Sequence, residues 1–396
     1  MRILRIFYDW PGKWDGLAPA GYEITKEQLN QGHKVTLMCG FWRGTPPENL
    51  PNLNIISTFR EPLTGLIFLT SSVILFFKYF FWRNKYKVDV IHSHGHFAIW
   101  IYLYRKLVRN LPFLGKYEFE PVFVTQFHNT FQGRWESLKK EGKAVTFISE
   151  KLFYPLGVIS DKWALEVSTA CLFVSQNLLD EAIKYYNADP AKCFVIENGV
   201  NTELFKRVSE QERAKTRADL GFDVFDKVVI NYGKMVPRKN ITTLIKAMKI
   251  LPVNYKLVLI GDGPKDYNTE ITNLIADLGL SRRIKLYGYS TYNQVAVPLQ
   301  ASDVFVLPSD FEGLPKVILE ALATEVPVIY SGFDFQTPIS GAFKLQEKTP
   351  EVIAEYILKA IEEPQKIEIE RFRLTFSWKT KVVAYENLYR KYLKSS

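Results

Sequence analysis

The chain has little of what marks an exported protein. Its three cysteines (Cys39, Cys171, Cys193) are odd in number and widely spaced among 396 residues. No disulfide framework is expected, and the thiols read as reduced, in the cytosol. The opening Met-Arg-Ile-Leu-Arg-Ile-Phe-Tyr-Asp-Trp is far too short in apolar residues for a signal-peptide core and reads as a first strand. No Gly/Ser linker or low-complexity tract interrupts the chain. A long apolar span is nearly absent as well. Leu63 to Phe77 is uncharged and continues after Lys78 as Tyr-Phe-Phe-Trp, short of the roughly 20 residues of a spanning helix unless Lys78 snorkels. On a helical wheel Thr64, Ser71 and Lys78 form a thin polar seam, so the helix is either buried on most sides or lies in a membrane interface. The basic flank Arg83, Lys85 and Lys87 would suit acidic lipids. Both readings stay open.

What is present is a globular composition, 47% hydrophobic and 23% charged, which leaves no room for extensive disorder. The length implies two domains. A net charge of +9 suits phosphate-bearing ligands, acidic headgroups or nucleic acid without choosing among them. Short β-branched and aromatic runs alternate with helical patterns. Strands are expected at Ile3–Tyr8, Lys34–Cys39, Leu53–Thr58, Val88–His92, Val122–Phe127, Ala170–Ser175 and Cys193–Glu197. In the second half they are expected at Val228–Tyr232, Lys256–Ile260, Ile284–Tyr287, Val304–Leu307 and Val326–Tyr330. Between them Ile241, Leu244, Ile245 and Met248 follow helical spacing behind Asn240, a plausible N-cap. Ile271, Leu274, Ile275 and Leu278 repeat it, ending near Gly279. Such alternation predicts an α/β fold of two doubly wound parallel sheets. The domains are expected at 1–203 and 204–375, with the terminal helix 376–396 returning to the first. That helix sets Trp378, Val382, Tyr385, Tyr389 and Tyr392 on one face, as packing requires.

In doubly wound sheets ligands bind beyond the carboxyl ends of the strands, so the loops there are the candidates. The first carries Gly12, Gly16 and Gly21, which permit close backbone approach to a ligand. After the fourth strand stands His92-Ser-His94-Gly-His96. Alternate histidines invite a metal reading, but no cluster of carboxylates or cysteines completes a site, and none is assigned. His128 follows the fifth strand. The loop Gly233-Lys234-Met-Val-Pro-Arg238-Lys239-Asn240 leads into a helix, where two lysines, free backbone N–H groups and the helix dipole together favour a diphosphate. Gly261-Asp-Gly263-Pro264 is half a dinucleotide fingerprint, without the third glycine or the ribose-binding acid. The sharpest segment is Pro308-Ser-Asp-Phe-Glu312-Gly313-Leu314-Pro315-Lys316-Val-Ile-Leu-Glu320-Ala. Glu312 lies at a helix mouth. Glu320 lies two turns in, amid apolar residues, where a buried carboxylate needs hydrogen-bonded partners. The two hydroxyls of a sugar or ribose diol would supply them.

Glu312 and Glu320 form a Glu-x7-Glu pattern, and the segment around them resembles the signature of glycosyltransferase family 4. Gly32-His33-Lys34-Val35, Asp89-Val-Ile-His92-Ser-His94, Glu197-Asn198-Gly199-Val200-Asn201 and Phe376-Ser377-Trp378 resemble the family's other elements, in order and over nearly the whole chain. The resemblance implies a GT-B fold, two Rossmann-like domains facing across a cleft, and a retaining transferase that needs no metal. It implies a nucleotide-sugar donor and a glycan acceptor, with no nucleic acid partner; the Leu63–Trp82 helix with its basic flank, on its membrane reading, suggests a lipid-linked acceptor and a cytoplasmic protein attached peripherally to membrane. By position it makes Lys234 and Lys239 diphosphate ligands, Glu320 the ribose ligand, and Glu312 and His128 the residues at the transferred sugar. Gly16, Gly313 and Leu314 belong to the donor site. Lys234 stands where the family usually has arginine. Two departures touch the donor sugar: Glu325 replaces the glycine of the small-x-Gly-x-Pro-Val run, and Ser331-Gly332-Phe-Asp-Phe-Gln replaces Gly-Gly-x-x-Glu. Two other outcomes remain open, a nucleotide-sugar epimerase on the same fold and a non-catalytic nucleotide-sugar or lipid binder.

Overall fold

The computed structural model describes residues 1–8, 18–40, 50–59, 64–83, 87–111, 113, 121–140, 147, 149–335 and 338–394. The chain divides into two compact units. The first is Met1–Glu197 with Lys381–Ser396, and the second is Asn198–Thr380.

In the first unit seven strands form a wholly parallel sheet: β1 (Arg2–Ile6), β2 (Lys34–Cys39), β3 (Leu53–Ser57), β4 (Val90–His94), β5 (Val122–Phe127), β6 (Ala170–Phe173) and β7 (Cys193–Val195). Their order is β3-β2-β1-β4-β5-β6-β7. The second unit repeats the plan with six: β8 (Lys227–Tyr232), β9 (Tyr255–Ile260), β10 (Ile284–Leu286), β11 (Val304–Leu307), β12 (Val328–Tyr330) and β13 (Ala342–Lys344), ordered β10-β9-β8-β11-β12-β13. Strands such as Val228–Ile230 and Val304–Leu307 are buried throughout, as parallel strands covered on both faces must be. The direction of winding reverses between β1 and β4 and again between β8 and β11. These are the two switch points at which such sheets bind ligands.

The sequence pattern misses β13, whose three residues at a sheet edge are too short to show an alternation. It also ends β4 too early. The ladder to β5 runs on to His94↔Gln126, so both His92 and His94 are strand residues. Helical spacing serves well: Ile241, Leu244, Ile245 and Met248 are all fully buried. Asn240 precedes them but does not cap their helix. It is left-handed (φ +51°) and its side chain makes no cap bond.

Asn198 to Asn201 belongs with the second unit because its backbone is held there. Val200 N–H donates to Phe376 O at 2.8 Å, and Trp378 N–H to Val200 O at 3.2 Å. A Cβ on Gly199 would stand 2.6 Å from the Trp378 indole, so only glycine admits that ring. Asn201 Oδ1 accepts from the N–H groups of Glu203 and Leu204, a turn that asparagine closes as aspartate would. From Lys381 on, the terminal helix lies in the first unit, where Val382, Tyr385 and Tyr389 are fully buried.

The apolar helix runs Ser71–Arg83. With the helical turn before it, Leu66–Arg83 is an 18-residue stretch long and apolar enough to cross a membrane by length and composition alone, and a third of it is buried. Leu75, Tyr79 and Trp82 are buried on one side, while Ile74, Phe77 and Phe81 are exposed on the other. Lys78 Nζ donates to Ser57 O, tying the exposed side to β3. Leu63 and Lys85 lie outside the described residues.

Candidate active site

At the second switch point the loops after β8, β9, β11 and β12 are laced together by their backbones. Gly233 N–H donates to Ile260 O, Met235 N–H to Asp262 O, Asp310 N–H to Arg238 O and Glu312 N–H to Gly332 O, each at 2.8–2.9 Å. Gly261 and Gly263 have a packing role in this lacing. A Cβ on either would lie 1.9 Å from a carbonyl oxygen, of Gly233 and Met235 respectively. The half fingerprint therefore records two loops meeting, and no dinucleotide is needed to explain it.

The lacing gathers charge. Lys239 is 8% exposed, and its ammonium lies 2.8 Å from the place a Gly233 Cβ would take. Burial lowers its pKa from the usual lysine value; Glu312 opposes that shift and Arg238 adds to it. Lys234 is exposed. Arg238, between the two expected lysines, bonds Glu312 Oε1 at 2.8 Å and donates to Phe311 O at 2.6 Å. Ser309 Oγ also donates to Glu312 Oε1, at 3.0 Å. Glu312 is thus held in one orientation at the loop's end. Asn240 stitches the same turn, its amide donating to Pro308 O and to Asp310 Oδ1. At Gly313 an added Cβ would meet nothing within 4 Å, so the backbone there is open to a ligand, beside buried Leu314.

The helix Lys316–Ala323 begins after Pro315, which is its N-cap. Its first N–H groups have no intrahelical acceptor and its dipole favours an anion there. Glu320 lies within it, 4% exposed, and Tyr232 Oη at the end of β8 donates to its Oε2 at 2.6 Å. One turn earlier Lys316 is held down to about 8 by desolvation, with Glu320 pulling the other way. The helix ends on Glu325, left-handed at φ +59°, the conformation that a glycine there would adopt without strain. In place of a second glycine and an acid, the next loop builds an aromatic cluster. Tyr330, Phe333 and Phe335 pack with ring centroids 4.7–5.2 Å apart.

At the first switch point the three alternate histidines separate. His92 and His94 stack on one face of β4, centroids 4.4 Å apart. Gly95 (φ +67°) turns the chain, and His96 pairs instead with buried Asp161 at 3.0 Å. Among the described residues no three His, Cys, Asp or Glu are grouped to hold a metal ion. His128, beyond β5, stacks on His94 and meets it through Nε2 at 3.1 Å. His94 and His128 form one wall of a cavity of about 360 Å³ whose other walls are largely aromatic, among them Phe68, Phe131, Trp135 and Tyr154. Trp135 and Tyr154 stack at 4.3 Å. Gly16 lies outside the described residues.

The expected residues thus fall into two sets. Lys234, Lys239, Glu312, Gly313, Leu314 and Glu320 stand around one switch point, and His128 stands at the other. Sequence reasoning gave no role to Tyr232, which ends the strand before a quoted motif, or to Arg238 and Lys316, which stand inside two of them. It also passed over Arg5, whose charge in the apolar run Ile3–Ile6 was the available signal.

Two wound sheets with a basic loop and paired glutamates at the second switch point define a nucleotide-sugar glycosyltransferase of GT-B fold. The model of Glycosyltransferase Family 4 matches residues 14–204, and that of Glycosyl transferases group 1 matches 212–373. The chain belongs to glycosyltransferase family 4. It is 26% identical over 338 residues to an uncharacterized glycosyltransferase, MJ1607, of Methanocaldococcus jannaschii, covering 84% of this chain and 80% of that one. It is 29% identical over 319 residues to the UDP-Gal:alpha-D-GlcNAc-diphosphoundecaprenol alpha-1,3-galactosyltransferase of Escherichia coli, covering 72% and 74%. In fold it is similar to sucrose-phosphate synthase of Thermosynechococcus elongatus, with TM-score 0.76, 20% identity and full coverage of both chains. Anabaena HepE, solved with UDP and glucose, gives TM-score 0.73 and 19% identity over 98% of each chain.

Proposed function

We propose that this glycosyltransferase retains the anomeric configuration, needs no metal, and acts on a lipid-linked or membrane-surface glycan. The carrying observation is the second switch point, where buried Lys239, Arg238, Glu312 and buried Glu320 converge on loops around an open Gly313. A nucleoside diphosphate sugar lies there with its ribose hydroxyls donating to Glu320 and its diphosphate against Lys234, Lys239 and the first N–H groups of Lys316–Ala323. As the bond from C1 to the diphosphate oxygen breaks, negative charge grows on the leaving group. Fixed cations stabilise it without reorganising, which is the work a metal would otherwise do. The acceptor hydroxyl forms the new C1–O bond from the same face, and its proton passes to the departing phosphate oxygen. Glu312, clamped by Arg238 and Ser309, orients the transferred sugar, and His128 is the other residue assigned to the reaction.

Two features support the acceptor reading. The aromatic cavity beside His128 suits an apolar or ring-bearing acceptor. The helix Ser71–Arg83, exposing Ile74, Phe77 and Phe81, suits attachment to the cytoplasmic face of a membrane. The E. coli relative named above acts, by its name, on a diphosphoundecaprenol acceptor.

The test is release of nucleoside diphosphate from UDP-, GDP- and ADP-sugars by the purified protein in EDTA, with and without membrane lipid extract, repeated with Glu320→Ala. Donor-selective release that the substitution abolishes supports the reading, and anomeric analysis of the product decides retention. No release from any donor would leave the binding-protein reading standing. A new free nucleotide sugar formed without acceptor would mark an epimerase.

A further inference from the structure

The aromatic cavity of the first unit is larger than packing alone leaves open. Close-packed interiors hold few voids bigger than a water molecule, yet about 360 Å³ lies among Phe68, Phe97, Phe131, Trp135, Leu138 and Tyr154. The rings brace one another, Phe68 against Phe131 at 5.7 Å between centroids and Trp135 against Tyr154 at 4.3 Å. The walls are therefore fixed by their own contacts, as in a preformed ligand site.

The polar groups of the inner wall are already engaged. His94 meets His128, His96 pairs with Asp161, and Tyr154 Oη donates to Gln132 Oε1. A sugar ring placed inside would leave most of its hydroxyls without partners and would lose their hydration. A hydrocarbon chain has no such loss and gains contact with every ring. One charge stands apart. Arg134, in the first turn of the helix Phe131–Lys140, lines the cavity, is exposed, and has no carboxylate partner among the described residues. A guanidinium so placed suits a phosphate, which its fork can bind through two N–H groups.

The cavity is also joined to the apolar helix. Ile67 and Phe68 line it and belong to the helical turn Thr64–Phe68 that leads into Ser71–Arg83. The Trp100 indole N–H donates to Phe68 O at 2.9 Å and reaches Ser72 Oγ at 3.1 Å, so one ring ties the turn to the start of the helix. The exposed face of Ile74, Phe77 and Phe81 and the cavity wall thus lie on one short stretch of chain.

We propose that this cavity holds the hydrocarbon chain of a single-chain lipid phosphate, with Arg134 at the phosphate. That this lipid carries the acceptor glycan rests on the transferase reading above; occupancy of the cavity does not. Prenyl and straight-chain lipids share the chemistry, and the arms of the test tell them apart.

The test is calorimetry of the full-length protein, without donor, against farnesyl phosphate and dodecyl phosphate below their micelle concentrations. At least one should bind, and the preferred chain names the source. Leu138→Trp, which fills the cavity, should weaken that binding at least tenfold. Arg134→Gln should weaken it at least threefold and leave binding of the matching alcohol unchanged. Binding of neither phosphate, or parental affinity in either folded variant, would overturn the proposal. A readout free of substitutions is photolabelling with dodecyl phosphate carrying a terminal diazirine. Labels are expected within 67–68, 131–138 or 153–154; labels confined to 71–83 would put the lipid on the helix surface and sink the idea. Displacement of the bound lipid by methyl glycosides would do the same, by marking a sugar site. Lipid bound in the cavity of a protein that releases no nucleotide would remove the transferase reading and leave this one standing. Donor-selective release without any lipid binding would do the reverse.

Discussion

Glu325 carries the largest visible departure from the family's motif, and its replacement by glycine should stabilise the protein. The residue follows the helix that bears Glu320, in the position where helices commonly end on a left-handed glycine. Glu325 N–H donates to Leu322 O and Val326 N–H to Ala321 O, both at 3.0 Å, so the terminating bonds are already in place. What is paid is the left-handed backbone, about 1–2 kcal/mol for a residue with a Cβ. Against its relief stand two losses. Glycine gives the unfolded chain more freedom, worth about 0.4–1 kcal/mol. The ion pair of Glu325 with Arg207 is 3.6 Å long and more than half exposed on the arginine side, worth about 0–1 kcal/mol. The balance is a gain of about 0.5 kcal/mol for Glu325→Gly. Glu325→Ala keeps the strain and loses the pair, so it should be less stable than Glu325→Gly by about 1 kcal/mol. In a unit of this size that corresponds to roughly 2–4 °C in Tm. Thermal and urea unfolding of the two variants beside the parent measure it. Glu325→Gly proving less stable than Glu325→Ala would refute the argument, because the left-handed backbone would then cost nothing.

Lys239→Met should weaken nucleoside diphosphate binding at least tenfold by calorimetry, while urea stability stays level or rises because a desolvated charge is removed. Equal affinity in the variant would take Lys239 out of the diphosphate site. Lys316, held down to about 8, should be unreactive while protonated and become reactive as pH passes about 8, ahead of other lysines, in competitive acetylation followed by peptide mass spectrometry. Glu320→Gln removes the charge that favours the ammonium and should move that midpoint lower. A midpoint near the ordinary lysine value of 10.5 would contradict the burial of its amine.

Several things were legible in the sequence alone. Alternating β and helical patterns determined two doubly wound sheets, because strand and helix periods are local signals and the central strands, such as Val122–Phe127 and Val304–Leu307, are apolar runs buried from end to end. The Glu-x7-Glu segment was visible because a charge among Val317, Ile318 and Leu319 has no other business there. The short edge strand β13 was not legible, since three residues carry no period. Neither was the role of Gly261 and Gly263, which depends on carbonyls from a different loop.

Tertiary structure alone decided which charges meet. Arg5 and His94 are 89 residues apart and Tyr232 and Glu320 are 88 apart. Nothing local relates the members of either pair; they touch because β1 lies beside β4 and because the β8 and β11 crossovers end at one edge. His92, His94 and His96 alternate in sequence, yet they do not form one set in the fold. Gly95 turns the third imidazole away to Asp161, leaving the first two beside the guanidinium of Arg5, which the sequence places far from both. Strand order is set by global packing of the crossovers, and buried polar contacts by the strands which that order brings side by side, so the local sequence could specify the elements of this site but not which of their side chains would meet.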